Sequence, residues 1–146
     1  MPSKKRSGTR AERRRPKIVF FLDRCTNSRT LVTALTAAGA FVELHPDHFA
    51  DDISDGGWLP VVGAKRWVVL TNDKRIRHRR IECQALLAAG IRAFVLTAGH
   101  LSSAAAAEIW VRQLPKIERI AISRPAPFIA HVNQARVTIM RVSRRR

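Results

Sequence analysis

Two short apolar runs, each broken off by an aspartate, constrain this chain more than anything else in it: Lys17-Ile18-Val19-Phe20-Phe21-Leu22-Asp23 and Trp67-Val68-Val69-Leu70-Thr71-Asn72-Asp73. Runs rich in β-branched and aromatic residues, with no polar alternation, read as strands covered on both faces, as inside a parallel sheet. A carboxylate just past such a strand lies where open α/β sheets bind ligands, in the crevice beyond the carboxyl ends. Two carboxylates brought there can hold a metal ion.

The segments between these runs decide what kind of sheet is possible. A helix is expected near Ser28 to Ala38, with Ser28 as cap, Gly39 closing it, and Leu31, Val32, Leu35 and Ala38 on one face. A strand from Phe41 to Leu44 leads into a polar loop, His45 to Ser54, and a short helix from Asp55 to Val62 is expected to stop at Gly63. After the strand Trp67 to Leu70 come a basic loop, a helix near Arg80 to Ala89 closed by Gly90, and a strand from Ala93 to Leu96. The Ala-rich stretch from Ser102 to Leu114 is expected to be helical, with Pro115 just past its end. Phe128 to Val132 and Ala135 to Val142, parted by Asn133-Gln134, read as a β-hairpin. Strands alternating with helices imply right-handed βαβ crossovers. The expected architecture is a single α/β domain over residues 17–142, a doubly wound, mostly parallel sheet flanked by helices, with a C-terminal β-hairpin. Residues 1–16 and 143–146 are read as a flexible basic arm and a basic tail.

A chain of 146 residues can bury a real core without disulfide staples. Its apolar runs fall far short of the ~20 residues that cross a bilayer, and its basic start lacks the apolar segment of a secretory signal, so a membrane span and export are not expected. Cys25 and Cys83 are too few for a disulfide framework and lack zinc-site spacing, which makes a reducing cytoplasm the simplest setting. The residues after the first strand, Arg24-Cys25-Thr26-Asn27-Ser28, contain no glycine, which disfavours both a P-loop and a dinucleotide fingerprint.

Charge points to the partner class. The 27 Lys and Arg against 11 Asp and Glu leave a formal +16. Residues 1–17 supply +7 of this and residues 141–146 supply +4, leaving +5 on the body. Arms such as Lys4-Lys5-Arg6, Arg13-Arg14-Arg15 and Arg144-Arg145-Arg146 release counterions when they dock on a polyphosphate, so nucleic acid is the leading partner. The alternative is a solubilising tail.

Within this basic body the acids stand out. Asp23 and Asp73 could each be a turn or capping residue, and Asp55 could be an N-cap with Ser54 as rival. If the sheet closes as expected, all three enter one crevice, where unneutralised carboxylates repel. A divalent ion relieves that repulsion; Mg²⁺ suits oxygen-only ligands and keeps several waters, and Mn²⁺ is equally compatible. Beside Asp73, Lys74, Arg75, Arg77, Arg79 and Arg80 crowd one loop, and Arg24 and Arg29 lie near Asp23. These cations could hold the phosphates of a nucleic acid, or could simply be solvated.

Phe-Leu-Asp23, Ser54-Asp55 and Thr71-Asn72-Asp73-Lys74, in that order, resemble the PIN-domain nucleases. The longer pattern His45-Pro46-Asp47-His48-Phe49, Trp58-Leu59-Pro60 and Trp67 through Arg77 is similar to a PIN-like branch that includes VapC-type toxins of bacterial toxin–antitoxin pairs. The resemblance spans roughly residues 17 to 130 and implies a Mg²⁺- or Mn²⁺-dependent endoribonuclease, a phosphodiester hydrolase restrained by a cognate antitoxin. By position, Asp23, Asp55 and Asp73 match three metal-site acids with catalytic roles. The family often carries a further acid, for which Asp52 is the choice here, while Glu82 could reach the crevice or pair with Arg79.

Other residues are read more plainly. His45 and His48 mimic metal-ligand spacing but sit in a loop with no third partner, so a zinc site is not expected. Trp58 and Trp67 are read as core anchors, and Trp110 as core or interface. Three function classes remain: the ribonuclease toxin, a non-catalytic basic nucleic-acid-binding module of PIN-like fold, and a phosphoacceptor domain. The last normally pairs two acids after strand one, whereas Asp23 stands by itself. Homodimerisation through apolar helices is a further option.

Overall fold

The computed structural model describes residues 17–73, 76 and 79–140. The expected basic arm (1–16) and tail (143–146), residues 141–142 at the end of the expected domain, and the cations Lys74, Arg75 and Arg77 lie outside the described residues.

The chain alternates as expected. Strand β1 (Val19–Leu22) is followed by α1 (Arg29–Ala37), β2 (Phe41–Leu44), a single 3-10 turn (His45–Asp47), α2 (Asp55–Lys65) and β3 (Val68–Thr71). Then come α3 (Arg80–Ala88), β4 (Arg92–Leu96), α4 (Ser103–Ser123), β5 (Phe128–Val132) and β6 (Val137–Ile139). The six strands form one sheet in the order β2-β1-β3-β4-β5-β6. All neighbours are parallel except β5 and β6, which pair antiparallel.

The unalternating runs are explained by helices on both faces. Phe20, Leu22, Val68, Leu70 and Phe94 point to one side, where Leu31 and Leu35 of α1 and Trp110, Leu114 and Ile117 of α4 cover them. Phe21, Val69, Ala93 and Val95 point to the other, against Trp58, Leu59 and Val62 of α2 and Cys83 and Leu86 of α3. Trp58 and Trp110 are therefore core residues, and Trp67 stacks on Phe21 with centroids 5.8 Å apart.

Local signals act where expected. Ser28 Oγ accepts from Leu31 N at 3.1 Å, capping α1. Gly39 (φ 92°) and Gly90 (φ 74°) follow α1 and α3 in the left-handed backbone that glycine adopts without penalty.

Two helices outrun their expected ends. α2 does not stop at Gly63 but continues to Lys65, ending with Arg66 in the left-handed conformation. Gly63 serves packing rather than termination, since a Cβ there would sit 2.1 Å from the Ala89 carbonyl oxygen at the end of α3. α4 does not stop before Pro115 but runs through it to Ser123. A proline inside a helix forfeits a hydrogen bond and crowds the preceding turn, at about 3 kcal/mol or more. Burial of Leu114, Ile117 and Ala121 against the sheet face supplies the opposing gain.

Candidate active site

The strand order reverses at β1: the chain goes from β1 out to β2, then returns to add β3 on the opposite side. The carboxyl ends of β1 and β3 thus flank a topological switch point, where open parallel sheets leave a crevice. The register places chemistry there in a row. Leu22 of β1 is matched with Leu44 of β2 and with Leu70 of β3, so the next positions, His45, Asp23 and Thr71, lie side by side on three adjacent strand ends.

Asp23, 8 % exposed, is the centre of this row. Thr71 Oγ1, fully buried, donates to Asp23 Oδ2 at 2.6 Å and accepts from Asp73 N at 3.0 Å, so one hydroxyl ties both aspartates to the end of β3. Thr26 Oγ1 accepts from Asn72 N at 3.0 Å and donates to Asn72 Oδ1 at 3.3 Å, clamping the loop after β1 to the loop after β3. Burial pushes the Asp23 carboxyl above its ordinary range; the Thr26 and Thr71 hydroxyls oppose that shift, and the Asp73 charge adds to it.

Asp23, Asp55 and Asp73 all line one cavity, together with Arg24, His45 and Glu82. Asp55 opens α2, and its Oδ1 accepts from Trp58 Nε1 at 3.1 Å, which orients the carboxylate from the helix's first turn. Ser54 precedes that helix without a side-chain capping bond. Glu82, in the first turn of α3, brings a fourth carboxylate to the wall. Asp52 is exposed and lies outside that wall. Arg24, Arg79 and Arg80 are exposed; Arg24 lines the cavity and donates to the Asp51 carbonyl, while Arg79 and Arg80 stand at the start of α3. Arg29, also exposed, opens α1. His48 is turned to Glu43, 2.7 Å away.

Glu82 and His45 are the two wall residues that sequence reasoning underrated. Glu82 had a signal, as the lone acid after a basic run that begins beside Asp73. His45 had another: like Asp23 and Thr71, it directly follows a leucine near the carboxyl end of an expected strand.

Several polar atoms of this wall are buried and lack a hydrogen-bond partner: Asp23 Oδ1, Glu82 Oε1, and both ring nitrogens of His45. Each such group costs about 1–3 kcal/mol, so their concentration around one cavity marks a place prepared for a polar occupant. The cavity volume is about 40 Å³, room for an ion or a few waters but not for a nucleobase. Hard carboxylate oxygens suit Mg²⁺ or Mn²⁺. Among the described residues, no three His, Cys, Asp or Glu side chains stand close enough together to enclose an ion. The donor set therefore fits an ion that takes one or two protein carboxylates and keeps water on its remaining positions, which is the habit of Mg²⁺.

A doubly wound α/β sheet with acids gathered at its switch point places the chain among the open α/β folds that bind ligands beyond the carboxyl ends of their strands. The chain belongs to the PIN-like domain family, whose model matches residues 18–98, and members of that family are mostly metal-dependent nucleases. It is also similar to a Mycobacterium tuberculosis protein named "Putative ribonuclease VapC45", with 25% identity over 122 residues, covering 81% of this chain and 88% of that protein. No solved structure matches the chain. No helix among the described residues is long and apolar enough to cross a membrane.

Proposed function

We propose that this protein is a divalent-cation-dependent endoribonuclease and the toxin of a toxin–antitoxin pair. The observation that carries the reading is the gathering of Asp23, Asp55, Asp73 and Glu82 around one small cavity at the switch point, with Asp23 Oδ1 and Glu82 Oε1 buried and left unpartnered. The similarity to a protein named as a ribonuclease of the VapC type supports the choice of RNA and of a restraining antitoxin.

One or two of Asp23, Asp55, Asp73 and Glu82 would hold Mg²⁺ or Mn²⁺, with water on the ion's remaining positions. When bound, such an ion polarises a phosphate oxygen and lowers the pKa of water, supplying a nucleophile for in-line hydrolysis. Thr71 holds the Asp23 carboxylate and the backbone of Asp73 at the end of β3, and Trp58 orients the Asp55 carboxylate. Because the cavity excludes a base, the scissile phosphate would meet the acids at the mouth, where Arg24 of the cavity wall offers charge to its neighbours, as would the exposed Arg79 and Arg80 at the start of the helix that carries Glu82. Lys74, Arg75 and Arg77 continue that run in the sequence. Residues 17–142 act as one folded unit in this proposal, with the terminal basic segments adding salt-dependent affinity. An antitoxin that presents acidic groups would be steered to the same rim.

The alternative, a non-catalytic nucleic-acid-binding module, draws on the lack of a closed three-ligand group among the described residues. Cleavage of single-stranded RNA with Mn²⁺, with and without EDTA, separates the two. The nuclease reading expects cleavage abolished by EDTA and reduced about 100-fold or more in folded Asp23→Asn and Asp73→Asn, since an ion's transition-state stabilisation is worth several kcal/mol. Parent-like cleavage by either variant overturns the assignment of that acid. RNA binding without cleavage by the parent supports the module.

A further inference from the structure

His45 is 1 % exposed, yet neither of its ring nitrogens has a hydrogen-bond partner. A buried imidazole carries a donor and an acceptor in its neutral form, and leaving both unmade is costly unless something else in the pocket meets them. The ring cannot readily swing to find one. It packs against Phe21 (centroids 6.1 Å), Phe49 (5.4 Å) and Trp58 (5.9 Å), three aromatic neighbours that fix its plane.

Its place in the sheet gives the unmet nitrogens a direction. His45 follows Leu44 of β2, which pairs with Leu22, so the imidazole stands in the same row as Asp23 and lines the same cavity. About 40 Å³ accommodates a water between imidazole and carboxylates. No three-residue ligand group, with or without His45, exists among the described residues, so an ion held by one or two carboxylates keeps waters through which the imidazole can reach it.

We propose that His45 is a positioning residue of the acid pocket: one ring nitrogen hydrogen-bonds a water inside the cavity and through it orients the divalent cation taken up by the carboxylates. This rests on the nuclease-site reading above and adds a residue that is not an acid. A polar group one layer out from a metal is commonly worth about 10–100-fold in metal affinity. A residue that merely fills space would be worth nothing of the kind, because phenylalanine fills the same aromatic niche without orphaned nitrogens.

The test uses Mn²⁺ alone, with no RNA, on the full-length parent, His45→Phe and His45→Gln. Mn²⁺ affinity is measured by titration calorimetry, thermal unfolding by calorimetry, and nitrogen coupling by pulsed electron paramagnetic resonance on the bound ion. His45→Phe is expected to keep or raise the metal-free Tm and to lose about 10–100-fold in Mn²⁺ affinity. His45→Gln is expected to recover part of that loss, and the parent spectrum to lack the coupling of a directly bound nitrogen. Equal Mn²⁺ affinity in parent and His45→Phe overturns the role of His45 while leaving the carboxylate site standing. A directly bound nitrogen in the parent overturns the water-mediated form. A parent that binds no Mn²⁺ overturns the nuclease-site reading and this inference with it. Should His45→Phe fail to fold, parent-like affinity in His45→Gln together with His45→Leu overturns the proposal, and a loss in His45→Leu that His45→Gln partly restores upholds it.

Discussion

The two faces of the sheet are covered by equal numbers of helices but are built on different terms. Under α1 and α4 the cluster is hydrocarbon and aromatic throughout, from Leu31 and Leu35 to Trp110 and Ile117. Under α2 and α3 the cluster is smaller, and its residues Trp58, Leu59, Val69, Ile76 and Leu86 also form the floor of the acid cavity. The unpartnered atoms of Asp23, His45 and Glu82 belong to this second side. One face secures the fold, while the other gives up stability to keep polar groups ready, as expected where a site must bind charge.

That contrast can be broken by experiment. The largest effect is expected on the hydrocarbon face: Trp110→Ala, at a residue 1 % exposed, should cost about 3–5 kcal/mol in denaturant unfolding. The molecules that remain folded should keep the parent's Mn²⁺ affinity; a selective loss of metal binding would show that the two faces are coupled. An intermediate effect is expected from Thr71→Val, which keeps the shape but removes the donor to Asp23 and the acceptor for Asp73 N. A cost of about 1–3 kcal/mol should come with weakened Mn²⁺ binding, both read by calorimetry, and a loss of stability alone would make Thr71 a structural residue only.

The smallest effect should have the opposite sign. Asp23→Asn removes a buried charge and its repulsion with Asp73, so the metal-free Tm should rise at neutral pH even as Mn²⁺ binding falls. The raised Asp23 pKa means that the folded state retains a proton which the unfolded chain releases at lower pH. Its stabilising contribution is complete below the unfolded pKa and is lost as pH climbs through the folded one. Thermal scans across acid to neutral pH, without divalent ions, should therefore show a decline in the parent that is blunted in Asp23→Asn. Identical pH profiles would remove Asp23 as its source.

Much of this was legible in the chain, and the exceptions have physical causes. Apolar runs without alternation announced strands covered on both sides, and Ser28, Gly39 and Gly90 marked helix ends through local backbone chemistry that needs no tertiary context. Gly63 and Pro115 misled because their usual meaning is local while their role here is not: Gly63 lets α2 approach the end of α3, and Pro115 is carried by a helix anchored along the sheet. Asp23, Asp55 and Asp73 were visible as acids next to strand ends or at a helix start. Glu82 and His45 reach the same cavity only because α3 and β2 bring them there. Their placement depends on strand order, which no single segment encodes.

The shared row of His45, Asp23 and Thr71 has a consequence for how such a site can vary. Neighbouring strands are held about 4.8 Å apart by backbone hydrogen bonds, so the ladder acts as a ruler on which three side chains are mounted. Replacing any one of them changes the chemistry at its mark but leaves the spacing intact. Sliding β2 by one residue would instead present Leu44 or Pro46 at that mark and turn its neighbours to the opposite face. Chemistry here is exchangeable residue by residue, whereas alignment is inherited whole from the backbone.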